Sequence, residues 1–219
     1  MLGSAAQDYL KNIYKLQLEH EQVTPALLAA RMAVSAPAVS KMLRRLQSLK
    51  LVNYTRNQHL SLTPSGEQIA LEVIRHHRLL EVYLMQALGY TWDQVDEEAE
   101  RLEHHISEEF EDRIDSLLGY PTHDPHGDPI PTREGHMEPP TRGTLADLSP
   151  GQGGRISRVS DDDPAMLRYM GRLGLYPNAP IRMLEQEPFG GPLLVRVAGV
   201  EHAIGRELAG HVFVTKSEE

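Results

Sequence analysis

Cysteine is absent from the 219 residues of this chain, which removes disulfides, thiolate zinc sites and thiol redox chemistry from consideration. Aromatic residues are scarce as well, with three Phe, one Trp and eight Tyr, so aliphatic side chains must build the cores. No window of about 20 apolar residues exists to cross a bilayer. The opening stretch, MLGSAAQDYLKNIY, has neither the basic flank nor the unbroken apolar run of a secretory signal. These absences predict a cytoplasmic protein with no membrane partner. The length suffices for a substantial core and suggests about two domains.

The formal net charge of −9 argues at first against nucleic acid, but it conceals an asymmetry. From Thr24 to Gly66 there are six basic residues, Arg31, Lys41, Arg44, Arg45, Lys50 and Arg56, and no Asp or Glu. From Glu81 to Asp115 there are twelve acidic residues against Arg101 and Arg113 alone. One stretch suits phosphate and the other suits cations.

Apolar spacing predicts a helix over residues 4–20. Thr24-Pro25, an N-cap followed by Pro at the first helical position, opens a short helix through Met32. After a turn at Ala33-Val34, Ser35 with Pro37 starts another helix to about Leu49. Two short alternating runs, Leu51 to Arg56 and His59 to Thr63, predict a β-hairpin around Asn57-Gln58. Three helices and a hairpin make a winged helix-turn-helix, whose second helix of the motif enters the major groove. That helix presents Ser35, Pro37, Ser40 and Lys41 nearest the bases, with Arg44 and Arg45 a turn later on phosphates and Arg56 at the hairpin tip on the flanking backbone. Ala38, Val39, Met42, Leu43 and Leu46 read as core. A winged domain can bind protein instead, but an acid-free stretch of this length favours double-stranded DNA.

Long helices follow over about 64–88 and about 92–118. Within the second, Glu100, Glu103 and His104 stand at i, i+3 and i+4, so on an α-helix they share one face. Two carboxylates and an imidazole aimed at one point suit a borderline-hard divalent cation such as Mn(II) or Fe(II). The plainer reading is a solvated acidic helix face. Residues 119–143, with six prolines and four glycines, read as a loop or linker. From Leu145 onward short β runs (154–159, 181–185, 193–197, 201–204 and 212–214) surround a helical stretch, Pro164 to Leu173, which suits a small SH3-like barrel. The fold class is therefore mainly α with a β C-terminal domain, divided at 1–63, 64–142 and 143–219.

Several motifs in order, AAQDYLKNIYKL, VSAPAVSKMLRRL, LSLTPSGEQIA, RHHRLLEVYL, EEAERLEHHISEE and PHGDPIP, resemble the diphtheria toxin repressor family of metal-dependent transcription regulators, and specifically its manganese-responsive branch. MGRLGLYPNAPIRMLE, GGPLLVRVAG and AIGRELAGHVFV resemble the SH3-like (FeoA-type) module that some members share with ferrous-iron-transport proteins. The resemblance implies a helical metal-binding and dimerisation domain behind the winged helix, a homodimer, and a palindromic operator. It implies a primary metal site at Asp8, Glu100, Glu103 and His104, where oxygen donors replace the sulfur ligands of the iron-responsive branch. It implies an ancillary site at His77 and Glu81, with His126 and Asp124 from the PHG loop and Asp163 from the SH3-like domain. Asp96 stands where iron-responsive relatives have a His ligand, and Lys11 where one two-metal subgroup has Glu. His76 and His105 read as partly exposed bystanders. Leu80, Leu84, Leu88 and Leu102 supply either the intersubunit core or packing within the subunit. The implied function is Mn(II)-dependent repression of metal-transport genes, not enzyme catalysis. The rivals are an Fe(II)-dependent repressor of the same family, a metal-independent winged-helix regulator, and a metallohydrolase, which lacks any HExxH motif here.

Overall fold

The computed structural model describes residues 2–54 and 60–217. They form two compact units, one of residues 1–76 with 131–137, the other of residues 77–130 with 138–219.

In the first unit, α1 (Ser4–Glu19), α2 (Pro25–Arg31) and α3 (Ala36–Ser48) precede β1 (Val52–Asn53) and β2 (Ser61–Leu62), paired antiparallel. The expected caps form: Thr24 Oγ1 accepts from Leu27 N at 3.2 Å and Ser35 Oγ from Ala38 N at 3.4 Å. Each satisfies a backbone donor the first turn leaves unpaired. Ala33, at φ 52°, turns the chain between α2 and α3. Leu10, Ile13, Leu28, Val39, Leu43 and Leu46 are fully buried at the centre, each worth about 1.5–3 kcal/mol of apolar transfer. Ala38, by contrast, is exposed and not core. The long helix α4 (Pro64–Leu88) begins against the strand pair. Gly66 is required there, because a Cβ would lie 2.0 Å from the Leu51 carbonyl oxygen.

The second unit holds the remainder of α4, then α5 (Val95–Leu102) and α6 (Glu108–Leu117). Leu79, Leu80, Val82, Leu84, Val95, Ala99, Ile114 and Ile130 form one buried cluster. Leu80 and Leu84 are thus consumed within the subunit, whereas Leu88 is 56% exposed.

The single helix expected over 92–118 is broken after Leu102. Ser107 accepts from Phe110 N and starts a new helix, so a strong N-cap ends the run that acidic residues had made continuous on paper.

A five-stranded antiparallel sheet, β3 (Gly153–Val159), β4 (Pro180–Gln186), β5 (Leu193–Val197), β6 (Val200–Ile204) and β7 (Val212–Lys216), runs in the order β6-β5-β4-β3-β7. The helix α7 (Pro164–Arg172), the short α8 (Arg206–Gly210) and a 3-10 turn at Leu145–Asp147 pack against it. Inward positions such as Ile156, Met183, Val195 and Val212 are fully buried, as strand alternation requires. The single Trp92 closes that core.

Candidate metal centre

His77 and Glu81 stand at i and i+4 on α4 and share a face. That face is inward, leaving Glu81 0% and His77 4% exposed. Opposite them, α5 brings Asp96 and Glu100, then ends with Glu103 as its C-cap and His104 in the following turn. The i, i+3, i+4 face therefore exists only through Glu103; His104 reaches the same neighbourhood from a turn, with Nε2 3.3 Å from Glu103 Oε1.

Asp124 and His126 arrive from the Pro/Gly-rich segment, which is no solvated linker here, since residues 126–130 are all buried. Asp124 Oδ1 accepts from His126 N at 2.8 Å and from Asp128 N at 3.0 Å, closing a tight turn. Arg78 faces it, with Nε 3.4 Å from Asp124 Oδ2, Nη2 3.5 Å from Asp128 Oδ1, and Nη1 donating to the Pro129 carbonyl. The turn rests on β3, where Val159 N donates to the His126 carbonyl at 2.9 Å. The strand pairing of β3 with β7 shifts register between Ile156 and Arg158 at this point, and such bulges re-aim backbone beside functional sites.

Ligand atoms within 4.8 Å of one another define three groups in this unit: His77-Glu100-Glu103, His77-Glu81-Asp96 and Glu81-Asp124-His126. Their hydrogen bonding separates outward anchors from inward donors. His126 Nε2 lies 2.7 Å from the Trp92 carbonyl and so must carry a proton, which leaves Nδ1 facing Glu81 Oε1 at 3.5 Å. His77 Nδ1 lies 2.6 Å from Glu103 Oε2, which leaves Nε2 facing Asp96 Oδ1 at 3.2 Å and Glu81 Oε1 at 3.7 Å.

Among the described residues, His77 Nε2, His126 Nδ1 and both Glu81 oxygens are buried without a hydrogen-bond partner. Burying unpaired polar atoms is costly, and a divalent cation satisfies all of them at once. Imidazole nitrogens anchored through their far side, beside carboxylates, are the arrangement metal sites use to fix tautomer and direction. The residues thus fit a hard or borderline cation.

The titration of the cluster carries the same stress. Burial pulls His77 and His126 downward, but neighbouring charge outweighs it. The charge of Glu81, with the neighbouring Asp96 and Glu103 carboxylates, holds His77 well above its ordinary range, while Glu81, Asp124, Asp161 and the Trp92 carbonyl raise His126. Asp124 is pushed up to about 8, first by burial and then by Glu81 and Asp128, against the opposing pull of Arg78 and His126. A carboxyl with a raised folded pKa destabilises the metal-free fold progressively as pH climbs from 3.8 toward about 8. A cation must displace these protons, so each equivalent of Mn(II) should release about one proton or more at pH 7, and affinity should rise with pH. Calorimetry in buffers of differing ionisation enthalpy measures this; zero release would refute it.

The remaining expected residues fall in several places. Asp8 lies half-buried on α1 in the first unit. Ser35, Pro37, Lys41, Arg44 and Arg45 are exposed on α3 and Ser40 is half-buried, with Arg44 Nε folded back onto the Ser40 carbonyl at 3.2 Å. Arg56 lies outside the described residues. Asp163 is exposed and caps α7, accepting from Ala165 N at 2.8 Å. From the same Asp161–Asp163 run it is Asp161 whose charge reaches His126. Asp96 joins the His77-Glu81 group from the position that resemblance had cast as a lost ligand. Its sequence signal was there, an acid one and two turns before Glu100 and Glu103 on one acidic helix. His76 is 8% exposed, hence buried and not partly exposed, and His105 is exposed.

A winged-helix head, a helical segment with a buried His/Asp/Glu cluster and a small sheet domain together define a metal-dependent DNA-binding regulator. Residues 1–60 match the iron dependent repressor N-terminal DNA binding domain, residues 63–132 its metal binding and dimerisation domain, and residues 143–216 the FeoA domain. The chain is 32% identical to the iron-dependent repressor IdeR of Mycobacterium leprae over 98% of both proteins. It is 39% identical to the diphtheria toxin repressor of Corynebacterium diphtheriae over 59% of this chain and 58% of that one. A manganese-dependent transcriptional repressor solved in complex with manganese superposes with a TM-score of 0.89 at 39% identity, covering 97% of this chain and 100% of that one. The chain belongs to the diphtheria toxin repressor family and is a metal-dependent transcriptional repressor. No single helix among the described residues is long and apolar enough to cross a membrane.

Proposed function

We infer that this repressor is activated by Mn(II) and controls metal-transport genes from the cytoplasm. The observation that carries the reading is the unpaired buried set of Glu81, His77 Nε2 and His126 Nδ1, flanked by further carboxylates in a chain without cysteine. Oxygen-rich donor sets suit Mn(II), whereas sulfur ligands favour softer competitors. The likeness to a manganese-dependent repressor supports this choice. The likeness to iron-dependent repressors keeps Fe(II) as the second reading.

One ion belongs at Asp8, Glu100, Glu103 and His104, tying the DNA-reading residues 1–63 to the helical residues 64–142. A second belongs at Glu81, Asp124 and His126, with His77, Asp96 and Asp161 around it. With Asp8 drawn to the acidic arm, the two heads of a homodimer are held at the spacing of successive major grooves on a palindromic operator. Metal and DNA then tighten each other's binding.

Operator binding titrated anaerobically with Mn(II) and with Fe(II) tests the reading; equal or stronger activation by Fe(II) at matched free concentration would transfer the assignment to iron. Lys41→Ala should weaken operator binding about tenfold, the scale of one lost base or phosphate contact, while the Mn(II) affinity of the free protein stays constant. Unchanged operator affinity would remove Lys41 from the reading surface.

A further inference from the structure

Arg158 stands on β3 where the register against β7 shifts, and its side chain reaches three separated pieces of chain. Nε donates to the Thr141 carbonyl at 3.2 Å, Cζ lies 3.4 Å from the centre of the Phe213 ring on β7, and Nη1 lies 3.7 Å from Asp128 Oδ1. The side chain is 18% exposed, and a cation so far withdrawn from water persists where a carboxylate and a ring face offset its desolvation. Asp128 Oδ1 also meets Arg78 Nη2 at 3.5 Å. Two guanidiniums, one from α4 and one from the sheet, therefore grip the same oxygen. Asp128 is in none of the ligand groups found among the described residues, but it is tied to one of them. Its N–H donates to Asp124 Oδ1 and its carbonyl accepts from Asp124 N, both at 3.0 Å. We propose that Arg158 is a positioning residue for metal binding: holding Asp128 from the sheet side, it fixes the turn that carries Asp124 and His126, and the β domain thereby sets the affinity of the Glu81-Asp124-His126 site.

This rests on the two-site reading above. Charge repulsion and positioning predict opposite signs for the loss of Arg158. A positive charge paired to the turn repels a divalent cation bound there, so on charge alone its removal tightens the ion. As a positioning residue it does the reverse: without it Asp128 is held by Arg78 alone, and the turn loses one of its fastenings to the sheet. Ordering Asp124 and His126 then falls to the ion itself, which costs affinity. Val159 N still donates to the His126 carbonyl and Arg78 to the Pro129 carbonyl, so the fold is kept and what is lost is the precision of the turn. The flat guanidinium suits the place, because it stacks on Phe213 while its N–H groups work in the plane toward Thr141 and Asp128.

The test uses the full-length chain stripped of metal, with Mn(II) alone as the probe and free Mn(II) read by its electron paramagnetic resonance signal. His126→Ala first establishes which class of bound ions belongs to the turn; if it removes none, the two-site reading itself fails and the proposal with it. Arg158→Gln should then weaken that class about tenfold, the scale of a lost outer partner of a metal ligand, while the other ions change less than about twofold. Unchanged or tighter binding in the His126 class, or equal weakening of both classes, would overturn the positioning role. In an Asp128→Asn background, Arg158→Gln should add less than about twofold; a full tenfold there would overturn the route through Asp128. Amide exchange reads the same fastening with no metal present. Arg158→Gln should speed exchange of the Asp128 N–H about tenfold and leave that of the Met183 N–H, bonded to the Gln152 carbonyl within the β domain, unchanged. Should Arg158→Gln fail to fold, as judged by its melting curve, Phe213→Leu removes only the ring beneath the guanidinium. It should weaken the His126 class about threefold, and unaltered affinity would equally overturn the proposal.

Discussion

Glu103→Ala is expected to abolish metal-dependent operator binding, a loss of about 100-fold or more at saturating Mn(II), because an ion that no longer prefers the DNA-competent state shifts nothing. Glu103 has no exposed surface. It holds His77 Nδ1 through one oxygen and faces His104 with the other. Its removal leaves the His77 donor without that acceptor, at a cost of about 1–3 kcal/mol, partly offset by the loss of a buried charge. The fold should therefore survive with a lowered melting temperature. Fluorescence anisotropy of operator DNA with and without Mn(II), beside a thermal melt followed by circular dichroism, separates the two effects. A metal-dependent shift that persists in the variant would remove Glu103 from the activating site.

Gly127→Ala should be the most damaging single methyl in the second unit. Gly127 sits at φ +92°, and a Cβ there would lie 2.1 Å from the Ser157 carbonyl oxygen and 2.8 Å from Arg158 Cα. Neither neighbour is a flexible side-chain end, so the Asp124–Asp128 turn must lift from β3 and give up the 2.9 Å bond between Val159 N and the His126 carbonyl. A loss of about 2–5 kcal/mol follows, from overpacking together with backbone strain. Asp124 and His126 leave with the turn, so bound Mn(II) should fall by one equivalent. Gly89 is the control: its φ of +75° is equally left-handed, but nothing lies within 4 Å of its added Cβ. Gly89→Ala should cost only strain, about 1 kcal/mol, with the full metal content kept. Like behaviour of the two variants in calorimetry and metal analysis would show that the close approach at Ser157 is not what Gly127 serves.

Local signals carried much of the fold. Thr24-Pro25 and Ser35 with Pro37 announced two helix starts because a capping hydroxyl and a proline act within one turn of chain. Period-two alternation located the five strands of the β domain to within two residues of their observed ends. The break at Glu103 to Ser107 was harder to see, since acidic residues favour helix in general and the competing Ser107 cap is a single hydroxyl. The short helix Arg206–Gly210 passed unnoticed beside the strand pattern around it.

At the metal centre, residue types and spacings within one helix could be read directly, as with His77 and Glu81 or Glu100 and Glu103. Pairings across elements could not. That the charge of Asp161 acts on His126, and that Asp163 spends its carboxylate on the α7 cap, depends on how β3 and the helix after it meet the loop. Asp96 looked like a departure from a ligand pattern, but it shares a group with His77 and Glu81. The proline-rich stretch looked like a solvated connector because proline and glycine mark loops, yet loops can be buried when their backbone groups find partners, as Asp124, Arg78 and Val159 provide here.

By itself, the order of residues determined the helix starts, the strand alternation, the absence of cysteine chemistry and the segregation of basic from acidic stretches. All of these are set by interactions a few residues long or by composition. Tertiary structure alone decided which nitrogen of each histidine is anchored and which is offered, which acid of a run lends its charge to the cluster, and which leucines remain for a partner. Those outcomes depend on burial and on contacts between residues tens of positions apart, where a shift of an ångström changes a ligand into a bystander.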